Sequence, residues 1–410
     1  MELNITQVRK GSGILNRKMF VWILLSIVMA LSGCEKNDAE KKEDSLIDAL
    51  EKRKQVVFEE SEKLAKGYYN IYKKAKKEEK LDSLEVKQDI VDYFEMLDYV
   101  AVDTENQIDM VCAEQVEEFC ENVRTVQPAE TTIFAIADEG GFVRYDMVTK
   151  NGKIDVAVSS YSWEKDKPRG CYYQEFQANT WKYTENGYFF IEQYRPPGYD
   201  GAPGETGFRV KALDKTCREL NRKYVMPAGY ELNKLLIVDW GENNYKNLDF
   251  YDLYELMYHL KYGGYARPGD DYGGTEYQIP KEEFEEVIQT YLPIESGALE
   301  ENAVYQTESQ TYRYRPRGLY DCEFPYEPYP EVVKYEKQED GTIKLTINAV
   351  WTIKMLDKAI TSELVVRPLE NGNFQYLSNH LIPSQESIEP QWYKERLSDE
   401  EWKEIYLEDN

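Results

Sequence analysis

Apolar positions along this chain hold one period for a stretch and then switch, and the switches mark its elements. From Ser45 to Lys80, Leu50, Val57, Leu64 and Ile71 recur every seven residues among charged ones, which predicts one long amphipathic helix. Lys54 and Ser61 break the second seam, so the pattern fits a helix packed on a neighbour better than a coiled coil. Asp82 with Glu85 reads as a capping box for a second helix, whose inner face is Ile90, Phe94, Leu97 and Ala101. A third helix follows Asp103, with Ile108, Val111, Cys112, Val116, Phe119 and Val123 inward.

After Pro128 the helical period gives way to strand alternation. Asn151-Gly152 and Asn186-Gly187 stand between alternating runs, a strong hairpin signal. A short helix is predicted near Leu213 to Tyr224, a strand at Leu235 to Val238 and a helix at Leu248 to Tyr262. The glycine-rich stretch Gly263 to Gly274 reads as a boundary. Pro280 opens a further helix, with Phe284, Val287, Ile288 and Tyr291 on one face. A tyrosine- and proline-rich loop runs to Pro330, and hairpins follow with turns at Asp340-Gly341 and Asn371-Gly372. The tail from Ser384 is polar and carries a short helix at Ser398 to Leu407.

The two halves correspond. Phe142-Val143-Arg144-Tyr145-Asp146 matches Val332-Val333-Lys334-Tyr335-Glu336 by type, and turn glycines Gly152 and Gly341 follow. Ile154 and Ile343 begin strands that reach Trp163 and Trp351, and Glu185-Asn186-Gly187 parallels Glu370-Asn371-Gly372. The fold class is therefore α+β: N-terminal helices, then two related units of a helix and an antiparallel meander. Units of this kind resemble in architecture the nuclear-transport-factor-like and cystatin-like folds, which host unrelated functions.

The N-terminus carries a different signal. Met19 to Leu31 is an apolar run of 13 residues with one serine, preceded by Arg9, Lys10, Arg17 and Lys18 and closed by Leu31-Ser32-Gly33-Cys34. A membrane-crossing helix needs about 20 apolar residues. A shorter run between basic and small residues is a signal-peptide core. The segment resembles the signal peptide and lipobox of a bacterial lipoprotein. The resemblance implies that Leu31, Ser32 and Gly33 form the lipobox and that Cys34 takes a diacylglyceryl group and becomes the new N-terminus. It further implies an extracytoplasmic protein held on the cell membrane by lipid. Two acyl chains suffice for stable anchoring, where one does not. The whole chain resembles surface lipoproteins of Gram-positive, Clostridia-type bacteria, a group with no activity to carry over. The organisation is then a signal peptide at 1–33, a charged tether at 34–44 too polar to fold, and a helical region at 45–127. A first α+β unit at 128–262, a linker at 263–279, a second unit at 280–383 and a tail at 384–410 complete it.

Charge narrows the partners. The chain is at −26, and the signal segment holds four basic residues against one acidic, so the remainder sits near −29. Such a surface repels nucleic acid, whose binding needs clustered Lys and Arg. Five cysteines remain besides Cys34: Cys112, Cys120, Cys171, Cys217 and Cys322. Within one helix the first two would lie about 12 Å apart along the axis, beyond disulfide reach. No spacing suggests zinc, and nothing implies a metal or a cofactor.

Chemistry is scarce. His259 and His380 lack a recognisable partner, and there is no HExxH, no P-loop and no GxSxG elbow in the mature part. The loop Pro196 to Gly207 is long enough to bind something. Asp200, Glu205, Asp270 and Asp271 offer oxygens of the kind calcium takes, though solvated turn acids are the commoner arrangement. Tyrosine, at 34 residues, is the outlier; it serves sheet packing and core edges, or an exposed face for a glycan or protein ligand. The expectation is a non-catalytic binding or interaction module, with no catalytic residue assigned. The alternative is a hydrolase of cell-envelope or carbohydrate substrates working through carboxylates. Cys34→Ala is expected to abolish fatty-acid labelling and release or stall the protein; a variant that still takes up label would sink the lipid assignment.

Overall fold

Between Lys36 and Lys66 the chain has no glycine or proline, and there it forms α1 (Lys36–Gly67) in the computed structural model, which describes residues 36–242, 244–266, 275–322 and 326–407. The lipobox and Cys34 lie outside the described residues. The stretch 34–44 reads from sequence as an unfolded tether, but the helix takes it up from Lys36. Its Glu, Lys and Ala are strong helix formers, and they extend a helix already nucleated further along. Two compact units result, Met1–Ala178 and Asn179–Asn410. Among the described residues no helix is long and apolar enough to cross a membrane.

In the first unit α1 is followed by α2 (Tyr69–Lys77), α3 (Leu84–Glu95), β1 (Val100–Asp103) and α4 (Glu114–Arg124). The single helix predicted over 45–80 breaks at Gly67, where a Cβ would collide with the Tyr93 hydroxyl. The cap of α3 is Ser83, which accepts from the Val86 amide, and not Asp82. The predicted third helix starts only at Glu114. The Asp103 carboxylate accepts from the amides of Ile108 (2.7 Å) and Glu105 (3.2 Å), and Val111 donates to Ala101 (2.9 Å), so residues 104–112 are wound into a loop. Cys112 therefore lies outside the helix that holds Cys120, at φ 52°.

The sheet adds β2 (Ala129–Ile136), β3 (Phe142–Lys150), β4 (Lys153–Glu164) and β5 (Lys167–Gln177), in the order β1-β2-β3-β4-β5. Only β1–β2 is parallel. Phe94, Phe134, Phe142 and Tyr161 pack with Tyr68 and Tyr72 in one core. α1 also meets the sheet through charge. Arg53 donates two bonds to Glu175 (2.7 and 2.8 Å), and buried Arg144 lies between Asp146 (2.8 Å) and Glu60 (3.2 Å).

The second unit opens with a small sheet of β6 (Thr180–Tyr183), β7 (Tyr188–Glu192) and β8 (Glu205–Arg209). Next come α5 (Lys215–Leu220), the two-residue β9 (Trp240–Gly241) and α6 (Phe250–Tyr262). No strand forms at Leu235–Val238. Asn233 accepts from the Leu235 amide (3.0 Å) and Trp240 Nε1 donates to the Leu235 carbonyl (2.7 Å), which satisfies a buried turn without a ladder. Beyond lie β10 (Tyr277–Pro280), α7 (Lys281–Tyr291), α8 (Ser296–Asn302), β11 (Tyr305–Gln306) and β12 (Thr311–Tyr314). The chain then forms β13 (Tyr329–Lys337), β14 (Ile343–Val350), β15 (Thr361–Pro368), β16 (Phe374–Leu381) and α9 (Asp399–Leu407). The main sheet runs β13-β14-β15-β16-β9.

The fold is α+β as the sequence predicts, with meanders β2–β5 and β13–β16. The units divide elsewhere. The glycine-rich stretch lies inside the second unit, since α6 and α7 on either side of it share a core, with Tyr254 stacked on Phe284 at 4.9 Å. The corresponding segments fall on equivalent hairpins, β3–β4 and β13–β14. The likeness then ends: Asn371-Gly372 turns within the main sheet, whereas Asn186-Gly187 joins β6 to β7 in the small one.

The β4–β5 turn holds Lys165 and Asp166 both at positive φ (49° and 61°) without a glycine. Each such L-residue costs about 1 kcal/mol or more. Lys165→Gly is expected to raise stability by about 1 kcal/mol, read as a higher urea midpoint at unchanged slope.

Candidate functional site

The most strongly built polar cluster lies in the second unit around Asp252, on the first turn of α6, where the helix dipole favours a carboxylate. Its side chain is fully buried. Oδ1 accepts from Arg317 Nε (2.9 Å) and Arg396 Nε (2.6 Å); Oδ2 accepts from Arg317 Nη2 (2.7 Å) and the Tyr393 hydroxyl (2.8 Å). A carboxylate has about four acceptor positions, and all are filled. Arg396 also donates to Glu255 (2.6 Å) and to the Arg315 carbonyl (2.8 Å), and Arg317 to the carbonyls of Asp321 (2.7 Å) and Lys394 (2.8 Å). Burial pushes the carboxyl of neighbouring Asp249 above its ordinary range, and the charge of Asp252 adds to that. With no position left for a ligand, the cluster fastens the C-terminal segment to α6.

A second cluster ties the small sheet to the main one. Glu331 on β13 accepts from the Tyr188 hydroxyl (2.7 Å) and faces Arg209 (3.2 Å), while the Tyr329 hydroxyl donates to that of Tyr188 (2.9 Å). Burial holds the Glu331 carboxyl above the usual range.

An open groove does offer free surface. It has a volume of about 240 Å³ and is lined by Pro203, Glu205, Tyr326, Glu327, Trp351, Thr352 and Ile353. Tyr326 is 43% exposed and gives the groove an accessible ring, whereas Trp351, at 3%, is its buried wall. Trp351 Nε1 donates to the Tyr326 carbonyl (2.7 Å), which fixes that strand entry beside the wall. The space is smaller than the roughly 300–1,000 Å³ of pockets that enclose a drug-sized ligand. It suits the end of a longer ligand.

Residues singled out from sequence fall partly here. The loop after Pro196 closes with Gln193 donating to the Gly204 carbonyl (2.9 Å) and brings Pro203 and Glu205 into the groove. Asp200 lies on the same loop and is exposed, and Asp270 and Asp271 lie outside the described residues. Among the described residues no group of three or more His, Cys, Asp and Glu could hold a metal ion, so Asp200 and Glu205 belong to none. His259 is exposed at the end of α6, near the Tyr265 ring, and exposed His380 meets Asp239 at 3.0 Å. All five described cysteines are free, and burial pushes Cys120 up to about 12 and Cys217 and Cys322 up to about 11. Sequence reasoning missed Asp252, Arg317, Tyr393, Arg396, Tyr326 and Glu327. One signal was present: Asp252 and Glu255 interrupt the apolar face of α6 three residues apart.

Removing one partner of a buried ion cluster costs about 3–5 kcal/mol. Asp252→Ala is expected to lose that much in urea unfolding and to expose the C-terminal segment to protease; an unchanged midpoint would show the cluster to be dispensable.

No curated protein and no solved structure matches the chain. Over residues 54–396, which hold the groove, both buried clusters and the C-terminal segment as far as Arg396, the chain belongs to the family of unknown function DUF6070.

Proposed function

We propose that the protein is a lipoprotein held on the extracytoplasmic face of the cell membrane through Cys34, and that its folded part is a non-catalytic module binding a glycan in the groove of the second unit. The groove carries the binding half of this reading. An exposed Tyr326 ring, the apolar edges of Pro203 and Ile353, and the acceptor oxygens of Glu205 and Glu327 line one small space. A sugar ring presents just those complements, a C–H face for an aromatic ring and hydroxyl donors for carboxylates. The basic–apolar–Leu-Ser-Gly-Cys order carries the anchoring half. Cleavage before Cys34 would put the lipid two positions ahead of Lys36, where the described part of α1 begins.

The test is calorimetric titration of the detergent-solubilised protein with a panel of neutral wall-type and host-type oligosaccharides, with product analysis of each mixture. Binding without cleavage is expected for at least one of them. Tyr326→Ala is expected to weaken it about tenfold, the worth of one aromatic contact. Failure of the wild type to bind any of the panel would overturn the glycan reading, and released sugar would replace it with the hydrolase.

A further inference from the structure

The groove owes its shape to a part of the chain that does not line it. Trp351 sits at the head of a tight turn: its amide donates to the Leu356 carbonyl (2.7 Å), and the Leu356 amide returns a bond (3.2 Å). Thr352 and Ile353, on the same turn, form one side of the groove. Tyr326, on the other side, is held through its carbonyl by the Trp351 indole. The placement of one ring thus sets both sides.

Trp392 sets that ring. The two indoles meet edge to face, with centroids 4.8 Å apart and planes at 70°, and Trp392 is itself only 2% exposed. Trp392 lies between β16 and α9 on a segment outside any helix or strand ladder, its ring packed into the core of the second unit and edge-on to Tyr230 (5.9 Å), and side-chain and backbone bonds on either side hold the segment down. Ahead of it, Ile388 donates to the Ala359 carbonyl (3.0 Å). Behind it, Tyr393 and Arg396 close on Asp252, and Glu395 pairs with Lys234 (2.6 Å).

We propose that residues 388–396 are a strap that shapes the groove. Trp392 is a positioning residue for Trp351 and, through it, for Tyr326, and the Asp252–Arg317–Arg396 cluster is the fastener that keeps Trp392 in place. Loosening the fastener frees the indole pair and opens the groove. The functional consequence rests on the reading of the groove as a ligand site. The mechanical claim does not.

Two measurements separate them. The first is hydrogen exchange by NMR on the full chain without any ligand, comparing wild type with Arg396→Met and Trp392→Ala. The Trp351 indole N–H and the amides of Tyr326, Glu327, Tyr329 and 351–356 are expected to exchange about tenfold faster or more, as in a local opening. The amides of β14 and β15 are expected to keep their protection. Unchanged protection of the Trp351 indole would overturn the strap. So would an equal loss across β14 and β15, since the segment would then be ordinary core. The second is titration with whichever neutral oligosaccharide the wild type binds. Trp392→Ala is expected to lose about tenfold or more in affinity, and Trp392→Phe, which keeps an edge-to-face ring, to recover most of it. Full affinity in Trp392→Ala would overturn the coupling. Failure of the wild type to bind any oligosaccharide would overturn the glycan reading and leave the exchange result standing.

Discussion

Burying a carboxylate is costly unless cations meet it, and Asp252, with no exposed surface, recruits two guanidinium groups from distant parts of the chain. Arg317 arrives from the connection between β12 and β13, and Arg396 from beyond the last strand of the main sheet. With both guanidinium groups bonded to Asp252, and Arg396 also to Glu255, the two segments lie against α6. The course of the C-terminal segment, the seating of Trp392 and the wall of the groove all follow from that requirement.

Tyrosine imposes the same accounting on a smaller scale. A buried phenol brings a large apolar ring into the core but needs an acceptor for its hydroxyl. In the second unit the helices supply it: Tyr254 donates to Glu283 (2.9 Å), Tyr312 to Glu285 (2.8 Å) and Tyr314 to Glu255 (2.8 Å). A small part of the acidity that reads from composition as a solvated surface is thus spent inside, on hydroxyls and guanidinium groups. The tyrosines left outside, such as Tyr326, are the ones available to a ligand.

Legibility differed by element for definite reasons. The β3–β4, β13–β14 and β15–β16 hairpins announced themselves by alternation and by Asn-Gly or Asp-Gly turns, whose positive φ glycine adopts cheaply, whereas the β4–β5 turn, with Lys165 and Asp166 at positive φ, carried no such sign. The helix starting at Lys36 was hidden, because a run of charged helix formers looks like a tether until something downstream nucleates it. The stretch Leu235–Val238 looked like a strand because its residues are buried, yet an asparagine and an indole meet its backbone in place of a ladder. The glycine-rich stretch looked like a boundary, although the helices flanking it stack on one another.

From the sequence alone come the α+β class, several of the hairpin turns and the charge balance, since each depends on composition or on residues within a few positions of one another. The groove, the Asp252 cluster and the seating of Trp392 on Trp351 came only with the tertiary structure. Each joins residues dozens of positions apart, and no local period records which buried charge or ring will meet which. Asp252 and Arg396 are each unremarkable in sequence; burial together, 144 positions apart, is what makes them a fastener.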